Sequence, residues 1–538
     1  MTSTQRVPVL IAGGGLVGLS AALFLEYHDV PYLLVERRAT TSVLPRSRGL
    51  HTRTGELFRQ LGIETRIQQA AATALAAGRF GGASRGTSLL DAEALDLSGF
   101  VASLGVADPS PAQFCFLPQD LLEPVLADTA RRRGGELCFG VELIDFDEDD
   151  TGITATVRDE AGGLSAVRAD YLIAADGAGS PIRRALGITG WQLPPTHHYI
   201  NVFARVDLAA VLSGRTFSQC EIRNDRVRGL VLSKNNTDEW SFHLEYDPRT
   251  ETFADYPAER CADLVRALIG VPDIEVQIVA ASAWDTGTFV ADRYRHGRVF
   301  LVGDAAHRHA PWGGYGGNTG VADAHNLAWK LAAVLSGTAG EALLDTYQAE
   351  RHPRAVIAAE QARIGTDFLA RYGIETPDNA ADLALRLELG TVMTRFRYRS
   401  AAVLGEPCTS QHVDRLTGQV GTRLPHLWID TSRTISTLDL CGPGYALLVA
   451  GTSAAWRDAA AKAQRDTGID IAVHALPAAD WTASTGLPEG GALLVRPDMH
   501  IAARSDEGMH PPAFTQVLRS LTGRPSAAAP ASMHAATA

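Results

Sequence analysis

Three glycines near the start of the chain, Gly13, Gly15 and Gly18, stand in the spacing G-x-G-x-x-G. In that pattern the first glycine allows a tight turn, the second lets backbone approach a pyrophosphate, and the third lets a helix pack closely on a strand. A helix N-terminus following such a turn offers free N–H groups to phosphate. Glu36, 18 residues past Gly18, ends a second β-rich run, where a carboxylate can accept the hydroxyls of an adenosine ribose. Far along the chain, Asp304 in Gly303-Asp304-Ala305-Ala306-His307 follows another apolar run and suits hydrogen bonds from a polyol. Arg46, Arg48 and Arg53 form a cationic stretch after the ribose-binding strand, placed to neutralise phosphates or substrate oxygens. His307-Arg308-His309 invites a metal reading, but no third ligand of suitable spacing stands nearby, and no metal is expected.

The elements that must hold these groups are legible as well. Val7 to Ala12 is apolar and uncharged, as in a strand buried on both faces, and helix formers follow from Leu19 to Tyr27. Tyr171-Leu172-Ile173-Ala174 is a second buried strand, ending in the turn Asp176-Gly177 and a helix opened by Ser180-Pro181. Arg298 to Val302 is a third, followed by a Gly-rich loop from Pro311 to Gly317 and a long helix capped by Asn318 or Thr319 and stopped near Gly337. Thr52 or Thr54 is expected to cap a further helix.

Between 196 and 284 the texture becomes alternating. Trp240, Phe242, Leu244 and Tyr246 interleave with Ser241, His243 and Glu245, giving a sheet with one aromatic and one polar face. The aromatic stripe reads first as core. Its alternative, extended to Trp312 and Tyr315 of the Gly-rich loop, is the wall of a large, flat, apolar substrate cavity.

A chain of 538 residues is too long for one core and suggests three domains. The net charge of −12 argues against a nucleic-acid or anionic-membrane partner. Six scattered cysteines without C-x-x-C spacing fit a reduced compartment, and a cytoplasmic location is expected. The apolar run from 7 to 25 is interrupted by three consecutive glycines, which favours strand-turn-helix over a membrane segment.

Taken together, the opening glycines with Glu36, the Asp176-Gly177 turn, and Gly303 to His307 continuing through Asn326-Leu327-Ala328-Trp329-Lys330-Leu331 resemble the class A FAD-dependent aromatic hydroxylases over about residues 7 to 365. Gly421 to His426 and the last domain resemble the thioredoxin-like C-terminal domain of the subgroup that holds phenol hydroxylase and the actinomycete hydroxylases of aromatic polyketides, enzymes of antibiotic biosynthesis.

The resemblance implies an α/β protein: a Rossmann-like FAD-binding domain (1–195 and 285–365), a mixed-sheet substrate domain (196–284), a helical linker (366–414), a thioredoxin-like domain (415–523) and a disordered tail (524–538). It assigns the pyrophosphate to Gly13, Gly15, Leu16, Val17 and Gly18, and the ribose region to Glu36 with Arg37. Arg46 and Gln119 are assigned to the phosphates and ribityl chain, and Asp304 to the ribityl chain. Pro311, Gly316, Gly317 and Asn318 are set against the isoalloxazine, Asp176 serves both FAD and reduced nicotinamide, and Leu143 completes the cofactor set. Arg53 is the candidate for orienting substrate or flavin. Cys441-Gly442-Pro443-Gly444 holds one cysteine only, so no dithiol role is expected of the last domain.

The implied reaction takes FAD, NADPH or NADH, O2 and a polycyclic aromatic polyketide. The flavin C4a-hydroperoxide hydroxylates an electron-rich phenol while the protein excludes water. Baeyer–Villiger or epoxidising oxygenation on the same scaffold is the alternative, and a non-catalytic FAD-binding recruiting protein is the alternative of another class. A homodimer is among the assemblies the resemblance allows.

Overall fold

A computed structural model describes residues 5–74, 82–98, 100, 108–405 and 410–524. The expected disordered tail therefore lies, beyond Arg524, outside the described residues, as does Cys408.

The strand Gln5–Ala12 is the centre of the first sheet, as its uniformly apolar sequence requires. It pairs in parallel with Tyr32–Glu36 on one side and Leu164–Ala174 on the other, and Glu136–Phe139 and Val299–Leu301 extend the parallel order outward. Residues Val9 to Ile11 have no exposure at all, as a strand covered on both faces requires. The helix Leu16–Tyr27 carries apolar side chains all round and is buried from Leu19 to Leu25, against the helices Gln119–Arg132 and Tyr315–Leu335.

The second sheet is antiparallel for most of its seven strands: Gln277–Asp285, His198–Arg205, Glu239–Glu245, Arg228–Ser233 and Gln219–Arg223, then Ala83–Gly86 and Glu93–Ala94. The last two come from the first part of the chain, and Ala83–Gly86 pairs in parallel with Gln219–Arg223. The sheet unit therefore draws in strands from well before residue 196. Alternation along Glu239–Glu245 sends Trp240, Phe242 and Leu244 to one face, where they are fully buried against Cys261, Val265, Leu268 and Ile269 of the helix Ala258–Ile269.

Residues 366–414, expected as a connector, carry the short helices Phe368–Arg371, Ala380–Leu383 and Leu389–Met393, which form a wall over the second sheet. The last domain runs β-α-β-α-β-β-α. Its strand Tyr445–Ala450 lies between Ile471–Leu476, parallel, and Ala492–Val495, antiparallel, with Ile501–Arg504 at the edge. This is the thioredoxin-like order expected from the sequence. The fold as a whole is mixed α/β, and no described helix is long and apolar enough to cross a membrane.

Candidate functional site

The strand end at Ala12 turns through Gly13, whose φ of +114° and close approach to the Ala175 carbonyl admit no side chain. A β-carbon on Gly18 would strike the Gly13 carbonyl oxygen, so the turn closes on itself and the helix starts flush against the strand. Gly15 is different: the nearest atom to a β-carbon there is Glu123 Oε1, at 3.6 Å, so the space in front of the turn is open. Glu36 reaches back over the turn, accepting from Gly14 N–H (2.7 Å) and Arg38 N–H (2.9 Å).

The strand Val299–Leu301 delivers the second half of the site. Gly303 and Gly320 both lie against Val17, which locks the Asp304 turn and the helix Tyr315–Leu335 onto the helix that begins at Leu16. Both segments open into one cavity of about 1920 Å3. Gly13, Gly15, Leu16, Val17, Glu36, Arg37, Arg46, Gln119, Leu143, Asp176, Asp304, Pro311, Gly316 and Gly317 all line it, as do Trp312 and Tyr315.

Two of the expected cofactor residues stand elsewhere. Gly18 sits behind the turn as packing. Asn318 is buried one turn inside the helix, which starts at Tyr315 with Gly314 as its N-cap, so neither Asn318 nor Thr319 caps it. Asn318 is instead a brace: Oδ1 accepts from His51 N–H (2.8 Å) and Thr54 Oγ1–H (2.6 Å), and Nδ2 donates to Gly49 and Gly314 carbonyls. The same brace places His51, rather than Thr52 or Thr54, at the N-cap of the helix Thr52–Gln60.

Charge in this half is balanced by burial and proximity. Burial pushes the Asp304 carboxyl up, opposed by His307, Arg46 and Arg308. Burial and neighbouring Arg38 push Arg46 down, opposed by Asp304 and Glu123. Burial also raises Asp176, whose Oδ2 accepts from Ile182 N–H while Oδ1 has no partner among the described residues. Glu123, which nothing in the sequence singled out, is buried at the helix start, accepting from Leu16 N–H (2.9 Å), Ser42 N–H (2.8 Å) and Gln119 Nε2–H (2.6 Å). His307 bonds Asp323 (2.6 Å), itself held by Arg351 (2.7 Å). Among the described residues no group of three His, Cys, Asp or Glu side chains could hold a metal.

The other half of the cavity is floored by the second sheet, on the face opposite to the one the aromatic stripe suggests. Trp240 and Phe242 are core and Tyr246 packs beside them, so none of the three lines the cavity. The polar partners of the alternation, Ser241 and His243, do, together with Asn201, Ser282 and Trp284. Arg371 closes this end, its guanidinium stacked 3.5 Å above the Trp312 ring centre and bonded to Gln219. Arg48 is half-buried beside it and donates to the Ser218 and Ser233 carbonyls. Burial pushes both arginines down to about 10. Arg371 and Trp284 have no local motif; only the fold brings them here.

Arg53 touches the cavity edge, but its guanidinium is committed elsewhere. It bonds Glu56 (2.9 Å) and the Asp498 carbonyl (3.0 Å), and so joins the first domain to the last instead of orienting a ligand. Arg423 from the last domain meets Glu56 from the other side and also reaches the cavity wall.

A family model described as an FAD binding domain matches residues 6–362, and one described as aromatic-ring hydroxylase, C-terminal, matches 417–525. The chain is 39% identical over 536 residues to a tetracenomycin A2 monooxygenase-dioxygenase of Streptomyces glaucescens, covering 94% of each chain. It is 38% identical over 475 residues to aklavinone 12-hydroxylase DnrF of Streptomyces peucetius subsp. caesius, covering 85% of this chain and 94% of the relative. Its structure is similar to the crystal structure of aklavinone-11 hydroxylase in ternary complex with FAD and aklavinone, with a TM-score of 0.84, 31% identity, and coverage of 97% of this chain and all of the other.

Proposed function

The chain belongs to the FAD-dependent aromatic-ring hydroxylases, and from that premise we propose that it hydroxylates a polycyclic aromatic polyketide, a phenol of the anthracycline or angucycline kind, with NADPH or NADH and O2. It is an enzyme, a flavoprotein monooxygenase with FAD as cofactor. The residues present fit that group: the open space before Gly15, the unpartnered Asp176 Oδ1 and the cavity-facing Asp304 are the features a dinucleotide would fill.

The observation that carries the substrate class is the cavity itself. At about 1920 Å3 it is roughly twice the upper end for an ordinary small-molecule pocket, so a second large ligand fits beside the dinucleotide. Its far end combines flat aromatic surfaces, Trp284, Trp312 and Tyr315, with a polar floor, which suits a planar polycycle bearing oxygens.

In this reading Gly13, Gly15 and the helix start at Leu16 receive the pyrophosphate. Glu36 takes the adenosine ribose, Arg46 and Gln119 reach the phosphate and ribityl region, and Asp304 accepts ribityl hydroxyls. The N-terminus of the helix Tyr315–Leu335 sets partial positive charge against the isoalloxazine. Bound FAD supplies the chemistry, taking electrons from reduced nicotinamide and activating O2. The chain's own part is to orient the phenol over the polar floor beside Trp284 and to keep water out with the wall of residues 368–394.

The test is a purified protein that is yellow with a flavin spectrum, followed by NADPH and NADH oxidation with oxygen uptake in the presence of anthracycline- and angucycline-like phenols. Stimulated turnover with a product one oxygen heavier supports the reading, and absence of stimulation by any polyphenol overturns it. NMR of the product carbon skeleton separates ring hydroxylation from Baeyer–Villiger insertion or epoxidation.

A further inference from the structure

The polar floor of the cavity has one donor whose proton position is fixed. Trp284 Nε1–H donates to His243 Nδ1 at 3.0 Å, with the rings at 88°. An indole nitrogen can only donate, so Nδ1 must be bare and the neutral ring carries its proton on Nε2. No hydrogen bond to that Nε2 is made among the described residues, and His243 lines the cavity. Directly opposite His243 on the neighbouring strand is Asn201, more than nine-tenths buried, also lining the cavity, with its Oδ1 unpartnered among the described residues. Two half-buried cations, Arg48 and Arg371, act on the same histidine. Burial first, then these two charges, holds the imidazole down to about 3, so it stays a neutral donor at any working pH.

We infer that the His243–Trp284 pair is a built subsite for a ring carbonyl of the substrate, His243 Nε2–H donating to the ketone oxygen and Trp284 fixing the tautomer that makes this possible, while Asn201 Oδ1 beside it can accept only from a substrate hydroxyl. The inference deepens the polyketide reading and rests on it. A donor held in positive potential favours a carbonyl or a partly anionic oxygen over a hydrocarbon edge, and it fixes which edge of a planar polycycle enters first. His243 acts here as a positioning residue, because it selects orientation without entering the oxygen transfer.

The experiment uses the FAD-loaded protein and two three-ring probes that differ at one position, xanthone, which has the ketone, and xanthene, which does not. Binding is followed by quenching of tryptophan fluorescence. Wild type is expected to prefer xanthone by about tenfold. His243→Phe is expected to erase the preference by weakening xanthone alone, His243→Gln to keep part of it, and Trp284→Phe to reduce it. Independently of binding, 15N shifts of His243 should report the Nε2–H tautomer in wild type and a mixture in Trp284→Phe. FAD content is measured on every variant so that misfolded protein is not scored.

An unchanged xanthone preference in flavin-replete His243→Phe, an Nδ1–H tautomer in wild type, or failure of both probes to bind would overturn the inference. If polyphenols still stimulate NAD(P)H oxidation in those cases, only the subsite is lost. If they do not, the polyketide reading falls with it.

Discussion

Gly320, inside the helix Tyr315–Leu335, lies so close to Val17 of the first helix that a β-carbon there would come within 2.5 Å of a Val17 methyl and 3.0 Å of the Gly303 α-carbon. Two segments three hundred residues apart in sequence thus meet with only the Val17 side chain between them. Gly320→Ala must push them apart, and overpacking of this kind costs about 1–3 kcal/mol. The expected result is a lower unfolding temperature and a reduced FAD-to-protein ratio after gel filtration, while Gly442→Ala, where the added carbon meets no atom within 4 Å, keeps the full ratio.

Asp304→Ala is expected to weaken flavin retention without unfolding the protein, because the carboxylate faces the cavity and its side chain makes no hydrogen bond among the described residues. Loss of one or two hydrogen bonds to ribityl hydroxyls corresponds to about a tenfold or greater rise in the dissociation constant for FAD. Full FAD occupancy in this variant, titrated at low protein concentration, would remove the assigned contact.

Glu56 is buried between Arg53 of its own helix and Arg423 of the last domain. Burial alone would raise its carboxyl, but the two arginines outweigh it and hold it below the ordinary 4.5. Its stabilising contribution is therefore complete above about pH 4.5 and is lost as pH falls through the depressed folded value. Glu56→Gln should lower stability by about 3–5 kcal/mol at neutral pH, since it leaves two buried guanidiniums facing an amide. Urea unfolding at a series of pH values should show the gap between wild type and variant closing below that point.

Arg496 of the last domain is fully buried between Glu350 and Asp498, and Glu350 is also held by Lys330 (2.8 Å) and Asn326 (2.7 Å). Arg496→Met removes the cation and leaves two carboxylates near each other, at a cost of about 3–5 kcal/mol. Adding Asp498→Asn, which leaves Lys330 paired with Glu350, should restore much of that loss, which a double-variant cycle of unfolding measurements would reveal.

The parts of this molecule that could be read from sequence are those where one position faces a severe local demand. Gly13 needs a positive φ, Gly18 needs contact with the turn, and Glu36 and Asp304 stand at strand ends; each is recognisable from its neighbours alone. Alternation along Glu239–Glu245 revealed two unlike faces but not which one a helix would cover. The helix Ala258–Ile269 takes the aromatic face and leaves Ser241 and His243 to the cavity. Asn318 looked like a helix cap because its type suits one, yet its four partners come mostly from residues 49–54, a relation no local pattern contains. Arg371 carries no motif, and Arg423 lies in the Gly421–His426 stretch that marked the last domain; in both cases long-range packing alone brings the side chain to the cavity.

The junction through Glu56, Arg423, Glu350 and Arg496 constrains anyone who would build hybrids of this enzyme. A terminal module transplanted from a cousin brings its own arginines, and they must meet acidic hosts at two distant addresses on the recipient. Chimeras cut near residue 415 should succeed only when both halves of each ionic handshake travel together, so the seam between modules, rather than either module, decides which exchanges give working protein.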